Sequence, residues 1–394
     1  MPPSKQSPWN READRLWKAG HQKEAISLVL ETINSSKGSR PPRHPGMQFC
    51  YYLFLLNDYK AAEKYLRILS DAYPDDAEII ENYAVVLSRL KKNWPEVVRL
   101  LRRVIELQPG SINAWDGLTN ALRMSGDLEA AVEAGTNALR MKDEATTAPE
   151  NWQLPSIDPK QYDEDRGGTD VIAFSLFGKK PRYLRGALRN LLLAPDLFPG
   201  WQVRFYLDES VPASFVQTLS MQKAEIMEMP SGQSLRQKLG WRFAVANDSG
   251  VRRFVVRDVD SVLSYREARA VEDWLQSDRW FHVMRDWWTH TELILAGMWG
   301  GRAGVLPNLT EALENYQPKA KETPNIDQWF LREKAWGYVR QSCKMHDRLF
   351  SLDGTSQWPT ESPGDSIHVG QDEFTANREY QERQLGPWFE VVPS

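Results

Sequence analysis

Four small residues, Ala25, Ala62, Val97 and Ala131, return at separations of 37, 35 and 34 positions. Each follows a turn signal by four or five residues: Lys18-Ala19-Gly20, Asn57-Asp58-Tyr59, Asn93-Trp94 and Ser125-Gly126-Asp127. Between the turns the pattern is helical, so each unit reads as a helix, a tight turn and a second helix. One such hairpin cannot bury its apolar face alone, whereas a stack can, and a period of this length therefore specifies a helical solenoid. Residues 1–141 are predicted to form about four hairpins, the first a poor copy that acts as a cap. From Lys142 to Thr169 the period fails. Pro149, Pro155, Pro159, the acidic run Asp163-Glu164-Asp165 and Gly167-Gly168 read as a linker over 142–169.

In the last copy, Trp115, Leu118, Gly126, Ala131 and Ala138 fall on the signature positions of the tetratricopeptide repeat. Pro74 and Pro109 stand where that repeat's terminal proline stops its second helix. The region resembles a tetratricopeptide array, and the resemblance implies a concave surface that holds a peptide or a partner protein. Hairpins that only support the following domain, or that mediate a homodimer, fit the same residues equally well.

Asp170 begins a different rhythm. Val171–Phe177 is a short apolar run ending at Gly178, with a helix predicted from Pro181 to Ala194. Gln202–Leu207 is a second strand, followed by a helix from about Pro212. Ala224–Met229 is a third strand, and Gln233–Ala246 a third helix. Strands alternating with helices imply a largely parallel sheet covered on both faces. Neither Gly-x-Gly-x-x-Gly nor a Gly-Lys-Ser/Thr loop is present, so the two commonest phosphate-binding fingerprints are absent.

The fourth strand then leads into Phe254-Val255-Val256-Arg257-Asp258-Val259-Asp260-Ser261. In an extended segment alternate side chains share a face, so Asp258 and Asp260 are expected to converge where open α/β sheets bind ligands. Two carboxylates there suit a hard divalent cation that keeps other positions for water and phosphate oxygens. Asp163-Glu164-Asp165 has the same spacing but no strand before it, so context rather than pattern carries the reading.

An α/β domain whose fourth strand ends in Asp-x-Asp resembles a GT-A glycosyltransferase, with a Rossmann-like, mostly parallel sheet over 170–352. Ile294-Leu295-Ala296-Gly297-Met298-Trp299 is similar to the small-residue loop that follows the metal site in such enzymes. Asp327-Gln328-Trp329 resembles the Asp-Gln helix start of the galactosyl- and glucosyltransferase branch. Phe281–Asp286 and Leu295–Gly301 are similar to phrases in bacterial proteins that pair tetratricopeptide repeats with a glycosyltransferase domain. The fold expected is thus multidomain, α followed by α/β, with residues 353–394 as a tail packing on the catalytic domain.

The resemblance implies Mn²⁺ or Mg²⁺ and a nucleotide-sugar donor, UDP- or GDP-linked. Asp260 would ligate the metal directly, while Asp258 would touch the ribose or a metal-bound water. His346 and His368 compete for a third ligand position, the second lying in a His-x-Gly like that of the same branch. Arg242 and Arg257 are candidate diphosphate or nucleotide contacts. Ser175, Leu176 and Phe177 end the first strand, where the base and ribose are usually cradled, and Ala296 and Gly297 would lie close to the donor sugar. Asp286, Glu292 and Asp327 are candidates for an acceptor-side carboxylate acting as general base, and Trp287 and Trp288 with His290 for an acceptor platform. The acceptor would be a protein, peptide or glycan positioned by the repeats. The rival is a non-enzymatic scaffold carrying a degenerate glycosyltransferase-like domain.

The formal charge of −4 gives no reason to propose a nucleic-acid partner. Two cysteines in 394 residues argue against a disulfide scaffold. Met1–Gln6 holds no apolar signal core, and no run reaches the roughly 18 apolar residues of a membrane span, so a cytoplasmic protein is expected.

Overall fold

The computed structural model describes residues 9–318, 325–362, 364 and 367–372. The chain divides into two compact units, Met1–Met141 and Lys142–Ser394.

The first unit is built from paired helices: α1 (Arg11–Lys18), α2 (Gln22–Asn34), α3 (Arg43–Leu55), α4 (Tyr59–Ala72), α5 (Ala77–Arg89), α6 (Trp94–Leu107), α7 (Ile112–Ser125) and α8 (Leu128–Glu144). The period read from the small residues is the period of these pairs, and Ala25, Ala62, Val97 and Ala131 are all fully buried. Small side chains at those points let neighbouring helices approach closely. Asn10, Asp58, Asp76 and Ser111 each accept a bond from a backbone N–H three residues on, capping the helices that follow. Every hairpin turn contains a left-handed residue, from Gly20 and Asn57 through Lys91 and Asn93 to Gly126, which is where glycine and asparagine are least penalised. With eight residues α1 is the shortest of these helices, in keeping with the poor match of the first copy. Its Trp17 still stacks on Tyr52 at 4.2 Å.

In the second unit the stretch expected to be a linker has no helix or strand over 145–158, but it is docked through particular residues at both ends. Lys142 is inaccessible and pairs with Glu292 at 3.0 Å. Asp143 accepts from Trp336 Nε1 at 2.6 Å. Pro159 opens a helix, α9 (Pro159–Arg166), and Asp163 pairs with the buried Arg302 at 3.1 Å. Pro159 marks a helix start and Gly168 a tight backbone approach: a Cβ on Gly168 would meet the Gly250 carbonyl oxygen at 2.5 Å.

The sheet comprises β1 (Thr169–Leu176), β2 (Trp201–Leu207), β3 (Glu225–Glu228), β4 (Val251–Arg257), β5 (Phe281–Arg285), β6 (Met298–Arg302), β7 (Cys343–Asp347) and β8 (Thr355–Ser356). Their spatial order is β3-β2-β1-β4-β6-β5-β7-β8. All neighbouring pairs are parallel except those made by β6, which runs antiparallel to both β4 and β5. The helices of this unit are α10 (Pro181–Leu197), α11 (Ala213–Met221), α12 (Leu235–Gly240), α13 (Tyr265–Gln276), α14 (Leu309–Glu314), α15 (Ile326–Phe330) and α16 (Trp336–Val339), with a 3-10 segment at Trp241–Asn247.

Alternation along the strands assigns the faces. Ile172, Phe174, Leu176 and Val255 join one apolar cluster with Leu184 and Leu188 of α10, Phe215 of α11 and Trp274 of α13. Ser175, of opposite parity, bonds instead to Leu239 and Arg242, where α12 runs into the 3-10 segment. From β1 the chain goes outward to β2 and β3, then returns to place β4 on the other side of β1. In open α/β sheets ligands bind beside such a reversal, which here places the expected crevice at the carboxyl ends of β1 and β4.

Of the expected tail, β8 extends the sheet edge, and Trp358 and Val369 join a buried cluster with Ala270, Met284, Leu295 and Met298. The stretch from 373 onward, including Trp388–Val392, lies outside the described residues. Among the described residues no helix is long and apolar enough to cross a membrane.

Candidate functional site

Strand β4 ends at Arg257, and residues 258–261 form a turn closed by a bond from Ser261 N to Asp258 O at 3.1 Å. The two carboxylates are therefore placed by a turn, not by strand alternation. Gly297 fits against this turn: a Cβ there would collide with the Asp258 carboxylate and stand 2.7 Å from its amide nitrogen. Only a residue without a side chain lets this loop approach so closely.

Three residues of α10, at 182, 186 and 190, hold the other side of the turn, and their spacing of four puts them on one helix face. Asn190, fully buried, donates to the carbonyls of Val259 and Ser261, both at 3.2 Å, and accepts from Leu263 N at 2.9 Å. Gly186 packs on the Val259 carbonyl, with Asp260 Cα 3.0 Å from where a Cβ would lie. Arg182 reaches Asp260 Oδ2 through both Nε, at 2.8 Å, and Nη2. This stripe was missed in the sequence, although an arginine, a glycine and an asparagine at i, i+4 and i+8 are a readable signal.

Arg242, buried, donates to Asp258 Oδ1, to the Arg257 carbonyl at 2.9 Å and to Asp327 Oδ2 at 3.1 Å. It thereby joins two sequence candidates, and Ser175 Oγ fixes its backbone by accepting from Arg242 N at 3.1 Å. Burial pushes the Asp258 carboxyl up, but Arg242, Arg257 and Arg182 together hold it below the usual range. Asp260 is pushed upward by burial and by Asp258, against the pull of Arg182. Burial lifts Asp327 to about 6, with Arg242 opposing and Asp258 adding to the shift. The Asp258 side chain is 49% exposed and that of Asp260 is 17% exposed, so the first faces the crevice more openly.

At the ends of β1 and β2, Phe177 meets Trp241 edge-on at 6.0 Å. Lys238 places its ammonium 5.7 and 5.6 Å from those two rings while pairing with Asp208. Leu176 is fully buried in the apolar cluster behind the sheet and does not reach the crevice. Ala296 is buried beside Gly297.

Several candidates are corrected. Arg257 is no phosphate contact: its parity turns it away from the crevice, and it is buried against Glu267 at 2.8 Å and the Gly297 carbonyl at 2.6 Å. Asp286 is fully buried, pairs with Arg266 at 3.0 Å and accepts from Val369 N at 2.8 Å, so its carboxylate anchors the chain rather than meeting an acceptor. Glu292 pairs with Lys142 and Arg332. His346 cannot ligate a metal, because His282 contacts its Nδ1 at 2.8 Å and Asp273 its Nε2 at 2.9 Å. Burial lowers its pKa to about 4, against the pull of Asp273. His368 belongs to the segment 367–372, which comes alongside the acidic turn through a bridge between Ser261 and Asp372. Its ring stacks on Trp287 at 4.5 Å and meets His290 edge-on at 5.1 Å.

Among the described residues no three His, Cys, Asp or Glu side chains converge as a metal-holding group. Asp258 Oδ2 and Asp260 Oδ1 lie outside the arginine pairs. A donor set of two carboxylate oxygens suits Mg²⁺ or Mn²⁺ that completes its shell with phosphate and water.

No family model and no curated protein matches this sequence. Solved structures with partial likeness are MamA of Desulfovibrio magneticus RS-1, at 15% identity over 34% of this chain and 74% of that one, with a TM-score of 0.31. YrrB, a TPR protein with an unusual peptide-binding site, is 16% identical over 34% of this chain and 66% of its own, with a TM-score of 0.30. The TPR2B domain of yeast Sti1, from a complex with pHsp70, is 22% identical over 25% of this chain and 79% of its own, with a TM-score of 0.24.

Proposed function

We propose that the crevice between the carboxyl ends of β1 and β4 is the donor site of a metal-dependent glycosyltransferase that uses a nucleotide sugar. The observation that carries this is the acidic turn itself. Asp258 and Asp260 follow β4 at the sheet's switch point, with Gly297 pressed against Asp258. Asp258 and Asp260 would hold the cation, which when bound supplies charge to stabilise a leaving diphosphate. Phe177, Trp241 and Lys238 offer an aromatic and cationic wall for the nucleoside. The repeats would present a protein, peptide or glycan acceptor.

Asp327 acts through Arg242 in this reading, as a positioning residue. When ionised it shares the guanidinium with Asp258; when protonated it leaves that charge to Asp258, which then competes harder with an incoming cation. Mn²⁺-dependent donor binding is therefore expected to weaken as the pH falls through about 6. Asp327→Asn mimics the protonated form, so binding should be roughly tenfold weaker near neutral pH, with the acid limb gone. A calorimetric pH series on both proteins checks this, and a limb that survives in Asp327→Asn would assign it to another group.

One observation favours the scaffold alternative: both carboxylates are already paired with arginines, Asp258 with Arg242 and Asp260 with Arg182. A thermal-shift panel of UDP-, GDP- and CMP-sugars, with and without Mn²⁺, separates the two readings. Stabilisation requiring metal and one nucleotide supports the enzyme. No shift with any donor, alongside capture of a peptide by the repeats, supports the scaffold.

A further inference from the structure

Arg182 joins two acidic segments at the edge of the crevice. Its Nε and Nη2 donate to Asp260, and Nη2 lies 3.2 Å from Asp372 Oδ2. Asp372 ends the described part of the segment 367–372, and its backbone bridges to Ser261, one residue past Asp260. The turn does not depend on this arginine for its shape, because Asn190 ties down Val259, Ser261 and Leu263, and Gly186 packs on the backbone between them. Arg182 is also unlike the other arginine at the turn. Arg242 is buried and fixed by three partners, whereas the Arg182 side chain is 43% exposed on the first turn of α10. A half-exposed guanidinium on a long side chain can change partners at small cost, since such pairs add little stability.

The two ligands of the proposed donor site would both act on it. A divalent cation on Asp260 Oδ1 draws that carboxylate's charge away from Oδ2, the atom to which Arg182 gives two N–H groups, and so weakens the resting pair. Phosphate oxygens arriving with that cation match the guanidinium fork better than the single carboxylate oxygen it leaves. We propose that Arg182 is a phosphate ligand held in reserve, resting on Asp260 and Asp372 until a cation claims Asp260, then closing on the diphosphate. This rests on the reading of the crevice as a donor site. Asp372 is then the resting carboxylate that competes with phosphate for Arg182.

Calorimetric titration of Mn²⁺ alone, and of UDP and GDP in the presence of Mn²⁺, tests the assignment. In Arg182→Ala, Mn²⁺ alone should bind several-fold tighter, because its competitor is gone, while the nucleotide binds roughly tenfold weaker. Arg182→Lys should recover only part of the nucleotide affinity, since an ammonium lacks the fork. Asp372→Asn should move the other way, tightening nucleotide binding by releasing Arg182. If Arg182 only clips the segment in place, Arg182→Ala and Asp372→Asn will weaken nucleotide binding together and lower the melting temperature, which overturns the proposal. Unchanged nucleotide affinity in Arg182→Ala overturns it while leaving the donor site intact. Failure of the wild type to bind either nucleotide with Mn²⁺ overturns both.

Discussion

Replacing Arg257 by alanine is expected to destabilise the second unit by about 3–5 kcal/mol, the usual consequence of stranding one member of a buried ion pair. Arg257 and Glu267 are each 1% exposed and 2.8 Å apart, and the same guanidinium holds the Gly297 carbonyl. Without it, Glu267 keeps only its bonds to the Ser264 region. Burial already lifts the Glu267 carboxyl to about 7 against the pull of Arg257. A folded-state value raised above the ordinary 4.5 means that stability from this group is present in acid and is lost as the pH rises. Removing Arg257 raises that value further, so the cost of Arg257→Ala should be flat while Glu267 is protonated in both folded proteins and grow as the pH rises through about 7. Denaturant unfolding across that range measures it. The double variant Arg257→Met with Glu267→Leu should recover most of the loss, because an apolar pair of similar size needs no counter-charge. A wild-type-like Arg257→Ala that has merely lost nucleotide affinity would contradict the buried role and restore the phosphate contact.

Gly297→Ala is the second large effect, and it should fall on the acidic turn and on folding together. Gly297 does not adopt the left-handed region, so its backbone accepts alanine. The added methyl would nonetheless strike the Asp258 carboxylate, with the Asp258 amide behind it at 2.7 Å. Either the carboxylate leaves Arg242 and the crevice, or the loop from Ile294 withdraws. A displacement of about 1 Å at a reacting centre costs on the order of a hundredfold in rate, so if the crevice is the proposed donor site, kcat/KM for the donor should fall by that order. The melting temperature should fall as well, because the Asp258 backbone cannot give way as the end of a side chain can. Undiminished turnover in a folded Gly297→Ala would remove this loop from the proposed donor site.

How far the sequence revealed these features depended on whether neighbours in space were also regular in sequence. The hairpins were legible because Ala25, Ala62, Val97 and Ala131 repeat one packing demand. The acidic turn was legible because an apolar strand runs straight into it. Arg257 was misread because strand parity says that it opposes Asp258, but not which face holds the crevice. His346 was misread because its partners, His282 and Asp273, come from a neighbouring strand and a helix far away in sequence. Residues 142–169 looked like a linker because proline and glycine mark slack chain and tight docking alike. Arg182 escaped notice because its partner Asp260 is 78 residues away.

The most direct measurement is donor consumption by the full chain with UDP- and GDP-sugars, in Mn²⁺ and in EDTA, for wild type and Asp260→Ala. If the acidic turn holds the metal and diphosphate, one donor is consumed by the wild type in Mn²⁺, and activity is lost in EDTA and in the variant. Equal activity without metal or in Asp260→Ala, or no consumption of any donor by the wild type, would contradict it.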